Sequence, residues 1–158
     1  MRLCGQQAVW NYEEENGLLT IQGVGAMEDY TEPEQVPWNS LMQEIKVVVI
    51  RDGITTVGDY AFAGCSNLQE VTLPGSVEIV GVFSFKGCTG LREIVIPEGV
   101  RVLASKAFQF CSALKKVYLP STLIDVDMRA FGKCESLEEV FYQGSEEQCC
   151  LLYTSDAA

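Results

Sequence analysis

"AFAGC" at Ala61–Cys65, "SFKGC" at Ser84–Cys88, "AFQFC" at Ala107–Cys111 and "AFGKC" at Ala130–Cys134 are four near-copies of one motif, each starting 23 residues after the last. A fixed period of this size marks a stacked-repeat chain, because one such unit cannot bury its own apolar face and a pile of them can. In rows of 23 the chain aligns Ile45, Leu68, Leu91, Leu114 and Leu137, then Val48, Val71, Ile94, Val117 and Val140, then Ile50, Leu73, Ile96, Leu119 and Tyr142. The V-x-L alternation has period two and predicts a short strand with these residues on one side. Pro74, Pro97 and Pro120 follow, and proline has no N–H to donate to a ladder, so the strand ends there. Ile54, Val77, Val100 and Leu123, then Val57, Val80, Leu103 and Val126, are expected to close the far side of each coil. Phe62, Phe85, Phe108 and Phe131 fill the remaining corner from a short helical or 3₁₀ turn.

The stack decides how the cysteines are read. Cys65, Cys88, Cys111 and Cys134 share one column, so their side chains should lie parallel along the interior. Metal ligands converge on a point from several directions, which a straight ladder does not do. Parallel Cβ vectors also suit a disulfide torsion near 90° poorly. Reduced thiols packing as small apolar groups is the favoured reading. A rung-to-rung disulfide and a metal or nucleophilic role are the alternatives.

Composition narrows the function. With 158 residues, 47% of them hydrophobic, the chain can bury a full core. Its 22 acidic and 11 basic residues leave a net charge of −11, which repels phosphate backbones and anionic head groups, so nucleic acid is not an expected partner. No apolar run reaches the roughly 20 residues a membrane span needs, so no membrane insertion is expected. There is no histidine, which removes Ser-His-Asp and Cys-His arrangements and HExxH zinc sites. No cofactor is expected; the glycines of "GVGAM" lack the spacing of a phosphate loop.

Residues before Met42 depart from the 23-residue pattern. "AVWNYEEENGLLTIQGVGAM" reads as two strands joined at Asn16-Gly17, a hairpin that would cover the first coil with Trp10, Leu18 and Ile21. "VPWNSLMQEI" suggests a short helix with Trp38 and Leu41 on its buried side. Together with "IRDGITTVGDYAFAGCSNLQEVTLPGSV" and the "YQGSEEQ" ending, this opening resembles the BspA-like, or Treponema-type, leucine-rich-repeat family, from Cys4 to about Gln148. The fold class is accordingly an α/β leucine-rich-repeat-like solenoid of stacked 23-residue coils, with a short-stranded sheet and an N-terminal β-hairpin cap. Residues 1–41 form the cap, and 42–148 form about five coils, the last partial. Residues 149–158 resemble one reading frame of a sequencing-library adapter and are read as an artefact, the natural chain continuing elsewhere.

The resemblance implies a place in larger exported bacterial surface proteins that bind host or neighbouring-cell components. "MRLCGQQAVW" has no signal-peptide core, so export would need a leader outside this sequence. On the solvent side of the strands one stripe holds Val49, Thr72, Val95, Tyr118 and Phe141, flanked by Val47, Glu70, Glu93, Lys116 and Glu139. An exposed apolar and aromatic stripe is a candidate interface, although β-propensity alone also selects such residues. The expected function is thus a non-catalytic, adhesin-like module binding a protein or glycan; the alternative is a structural spacer or accessory domain of a larger exported protein, possibly an enzyme. Catalysis would have to come from Asp125 and Asp127 with Arg129, the one charged cluster that breaks the columns, which reads first as a solvated turn.

Overall fold

The structure is a computed structural model that describes residues 2–148; residues 149–158, read above as adapter-derived, lie outside the described residues. Its strands are, in chain order, β1 (Ala8–Glu13), β2 (Leu18–Gly23), β3 (Gly25–Ala26), β4 (Val47–Ile50), β5 (Ile54–Val57), β6 (Glu70–Thr72), β7 (Ile79–Val80), β8 (Glu93–Val95), β9 (Val102–Leu103), β10 (Lys116–Leu119), β11 (Asp125–Val126) and β12 (Glu139–Tyr142). The α part of the expected α/β class is slight: 3₁₀ turns at Pro33–Gln35, Asn39–Leu41 and Met128–Phe131, and helical residues at 146–148. The strands stack in parallel register at the repeat spacing, Val47 beside Glu70, Val48 beside Val71, Ile94 beside Val117 and Val117 beside Val140.

Each coil contributes to two sheets. The first holds β1, β2, β4 and β6 and, separately hydrogen-bonded, β8, β10 and β12; no ladder joins β6 to β8 among the described residues. The second is continuous, in the order β11-β9-β7-β5-β3. The sequence placed apolar residues on this far side without announcing a sheet, because strands of two residues such as β7 are too short to show a period.

Between the sheets the columns form the core. Ile45, Leu68, Leu91 and Leu114 are buried, as are Val48, Ile94 and Val117. Burial fades toward the C-terminal coil, where Leu137 is half-buried and Val140 is 53% exposed. At the corner, Phe62, Phe85, Phe108 and Phe131 stack with centroids 5.1–5.3 Å apart. Trp38 heads the column, 5.5 Å from Phe62, and donates its indole N–H to the Ala61 carbonyl at 2.9 Å. Backbone bonds run along the corner as well: the amides of Phe62, Phe85 and Phe108 donate to Ser84, Ala107 and Ala130 carbonyls, each at 2.7 Å. The expected helical corner is a 3₁₀ turn only at Met128–Phe131; in the coils before it, Tyr60, Phe83 and Lys106 turn the chain with φ of 61°, 56° and 58°.

The N-terminal strands extend the same stack. β1 and β2 form the hairpin through a four-residue turn, Glu14 to Gly17, in which Gly17 has φ 61°. β2 then pairs in parallel with β4, Leu19 beside Val48 and Ile21 beside Ile50, so Leu19 and Ile21 continue the V-x-L columns. The buried side of β2 is therefore Leu19 and Ile21, whereas Leu18 is half-buried and faces with Val47. The helix expected from "VPWNSLMQEI" shrinks to the turn Asn39–Leu41, with Trp38 fully buried and Leu41 only partly.

Candidate functional site

Parallel register places the expected stripe on the outer face of the first sheet. Val49 lies beside Thr72, and Val95 beside Tyr118, which lies beside Phe141. Thr72, Val95 and Phe141 are exposed, the last two to 52% and 40%, while Val49 and Tyr118 are half-buried. The Tyr118 and Phe141 rings stack at 4.9 Å, 15° from parallel, and make one flat aromatic plate. Val47 is half-buried, and Glu70, Glu93, Lys116 and Glu139 are exposed along the edge of the stripe, with Lys116 between Glu93 and Glu139. The missing ladder between β6 and β8 divides the face into an N-terminal part around Val49 and Thr72 and a C-terminal part around Val95, Tyr118 and Phe141.

Beside that division lies a polar cleft of about 410 Å³, lined by Ser66, Asn67, Gln69, Thr89, Gly90 and Arg92 among others. Asn67 and Ser66 there are already engaged, both hydrogen-bonded to Gln43.

The acidic cluster is accounted for locally. Asp127 caps the 3₁₀ turn, its Oδ1 accepting the Arg129 N–H at 2.8 Å and lying 3.7 Å from Arg129 Nε. Asp125 is exposed on β11.

The cysteine column is a ladder of free thiols. Cys88, Cys111 and Cys134 each donate their S–H to the carbonyl of the phenylalanine 26 residues before, Phe62, Phe85 and Phe108, at 3.2–3.3 Å. Burial pushes the Cys65 thiol up to about 12 and raises that of Cys88 as well, which leaves neither as a ready nucleophile near neutral pH.

A second cluster was not singled out by the sequence. At the phenylalanine corner, Tyr60 and Phe83 meet at 4.9 Å on the outer surface, and Lys86 Nζ lies 4.9 Å from the Phe83 ring and 6.0 Å from that of Phe110. The columns 60/83/106 and 64/87/110 held the signal: the first runs Tyr, Phe, Lys with no inward apolar residue, and in the second glycine gives way to Phe110.

Comparison with known proteins agrees with this architecture. The family model described as BspA type leucine rich repeat region matches residues 40–149, in 6 copies. No curated protein matches the chain. Among solved structures, a leucine rich cell surface protein of Faecalibacterium prausnitzii superposes with TM-score 0.75 at 21% identity, over 94% of this chain and 41% of that one. A leucine-rich repeat protein of Eubacterium ventriosum gives TM-score 0.68 at 24% identity, over 92% of this chain and 44% of that one. The leucine rich repeat protein of T. pallidum gives 0.58 at 16% identity, over 90% and 84%. The chain thus spans less than half the length of the first two, and at these identities the likeness is one of fold.

Proposed function

The chain belongs to the BspA-type leucine-rich-repeat family, and from that premise we propose that it is a non-catalytic recognition module of a bacterial surface protein, binding a protein partner through the outer face of its first sheet. The observation that carries this reading is the C-terminal part of the stripe. Tyr118 and Phe141 stack into a plate beside the exposed Val95, on strands held in register by a rigid stack. Aromatic residues that are flat, fixed and partly exposed are the residues that anchor protein interfaces. Lys116 between Glu93 and Glu139 would form the polar rim such anchors need. Surface location is part of the proposal and is supported by the likeness to the leucine rich cell surface protein of F. prausnitzii.

The test is binding of the purified chain to immobilised extracellular-matrix proteins, with Tyr118→Ala and Phe141→Ala combined. Loss of at least tenfold in affinity with unchanged thermal stability is expected. A double variant that binds like the parent would remove the stripe from consideration. Absence of any captured matrix protein would favour the spacer reading.

A further inference from the structure

One corner of the stack carries charge of the opposite sign to the molecule as a whole. The turns 58–64, 81–87, 104–110 and 127–133 hold four bases, Lys86, Lys106, Arg129 and Lys133, against two acids, Asp59 and Asp127, on a chain of net charge −11. Both acids are committed. Asp127 caps its turn and pairs with Arg129, and Asp59, beside Asp29 at the N-terminal end, accepts the Val82 N–H at 2.8 Å. The middle of the corner is different. Lys86 Nζ and Lys106 Nζ lie 4.9 Å and 5.4 Å from the same Phe83 ring, and among the described residues neither forms an ion pair with a carboxylate. A ring quadrupole attracts each ammonium only modestly at a half-exposed site, while the two like charges repel. An anion between them would be attracted by both.

The backbone adds a second, independent observation. Phe110 stands where Gly64 and Gly87 stand in the preceding coils and takes the left-handed conformation, φ 62°, that suits glycine. Phe110 is 46% exposed, so it presents an aromatic face at the surface, and the next residue in that column is another base, Lys133, also left-handed at φ 61°. In this column the turn conformation is common to every coil, and what changes is that an aromatic ring and then a base replace the glycine.

We propose that this corner binds an acidic carbohydrate, with the exposed Phe110 ring as the stacking face and Lys86 and Lys106, gathered against the Phe83 ring, as the groups that hold its carboxylate or sulfate. A sugar ring offers an apolar C–H face to an aromatic ring while its acidic substituent projects from the edge, which uses both features at once. An acidic peptide would use the lysines and leave the Phe110 ring idle. The site lies on the turn corner, apart from the sheet stripe, so a second ligand could be held simultaneously.

Binding of the intact chain to immobilised polygalacturonate, heparin, dextran and polyglutamate tests this. Retention on polygalacturonate or heparin, weakened by added salt, with none on dextran or polyglutamate, is expected; the two acidic polysaccharides distinguish a carboxylate from a sulfate ligand. Lys86→Gln with Lys106→Gln should lower the affinity at least tenfold, and Arg51→Gln with Arg101→Gln, which removes equal charge elsewhere, should leave it unchanged. Phe110→Gly should weaken binding at least fivefold and retain the cooperative thermal transition, which separates recognition from folding. The proposal is overturned by failure to bind either acidic polysaccharide, by equal binding to polyglutamate, by an equal loss in the arginine control, or by undiminished affinity in Phe110→Gly.

Discussion

A buried thiol in this stack is held in its neutral form, and that has a thermodynamic sign. Burial raises Cys4 and Cys65 from 9.0 to about 12, and raises Cys88, whereas the unfolded chain exposes the same thiols to water. For a group whose folded pKa lies above its unfolded value, the unfolded state loses its proton first as pH rises. The stabilising contribution is therefore complete below about pH 9 and is lost between there and about 12. Each such thiol should lower the unfolding free energy by about 1.4 kcal/mol per pH unit inside that window. Urea unfolding at pH 7, 9 and 10 should show the steeper drop in stability in the last interval, and Cys65→Ala should flatten that drop even though it leaves a small cavity. An unchanged slope in Cys65→Ala would mean that the column's thiols already meet solvent.

Between the two sheets the chain crosses over through a turn whose hydrogen bonds run from one coil to the next. Ser76 Oγ donates to the Ile54 carbonyl at 2.8 Å and accepts the Gly53 N–H at 3.0 Å; Thr122 Oγ1 repeats this with Val100 and Gly99 at 2.7 and 3.0 Å. Glycine and hydroxyl thus alternate down the column 53, 76, 99, 122, each hydroxyl clamping the glycine coil before it. Gly53 and Gly99 have φ of 107° and 113°, a conformation that L side chains avoid. Removing a hydroxyl forfeits two bonds and strands a glycine N–H, so Ser76→Ala or Thr122→Val should each cost about 1–3 kcal/mol in urea unfolding. Thr89→Val, which loses one exposed 3.4 Å contact to Ser66, should cost under about 0.5 kcal/mol. Equal effects at the three positions would remove the clamp. This device was written in the sequence as a column of G, S, G and T, but a column of polar residues has no apolar period to draw attention to it. The inward columns were legible because Leu, Val and Phe recur with a fixed face. The corner turns were not, because Tyr60, Phe83 and Lys106 adopt a backbone conformation that the sequence would lead one to expect only of glycine. For the same reason the aromatic and basic corner was passed over, while the outward placement of the sheet stripe followed directly from strand alternation.

Across the whole molecule, stability comes from contacts between neighbouring coils, so the repeat length is itself a structural constraint. Excising residues 88–110 removes 23 residues and joins Gly87 to Cys111. Every column is preserved: Cys111 takes the place of Cys88, Leu114 that of Leu91, Val117 that of Ile94, and Phe131 is set to stack on Phe85 as Phe108 now does at 5.1 Å. The shortened chain should retain β-type circular dichroism and one cooperative transition, at a lower melting temperature because one coil's interfaces are gone. Excising 88–107 instead, 20 residues, slides each column by three places and sets Lys116 in the slot of the buried Ile96. An unpaired ammonium in that slot costs several kcal/mol, comparable to the net stability of a small domain, and the same slip displaces every other inward residue beyond it. The shorter deletion should therefore be the more damaging, leaving a chain without a cooperative melt. If both deletions melted alike, in-register stacking of identical columns would not be what holds the fold together.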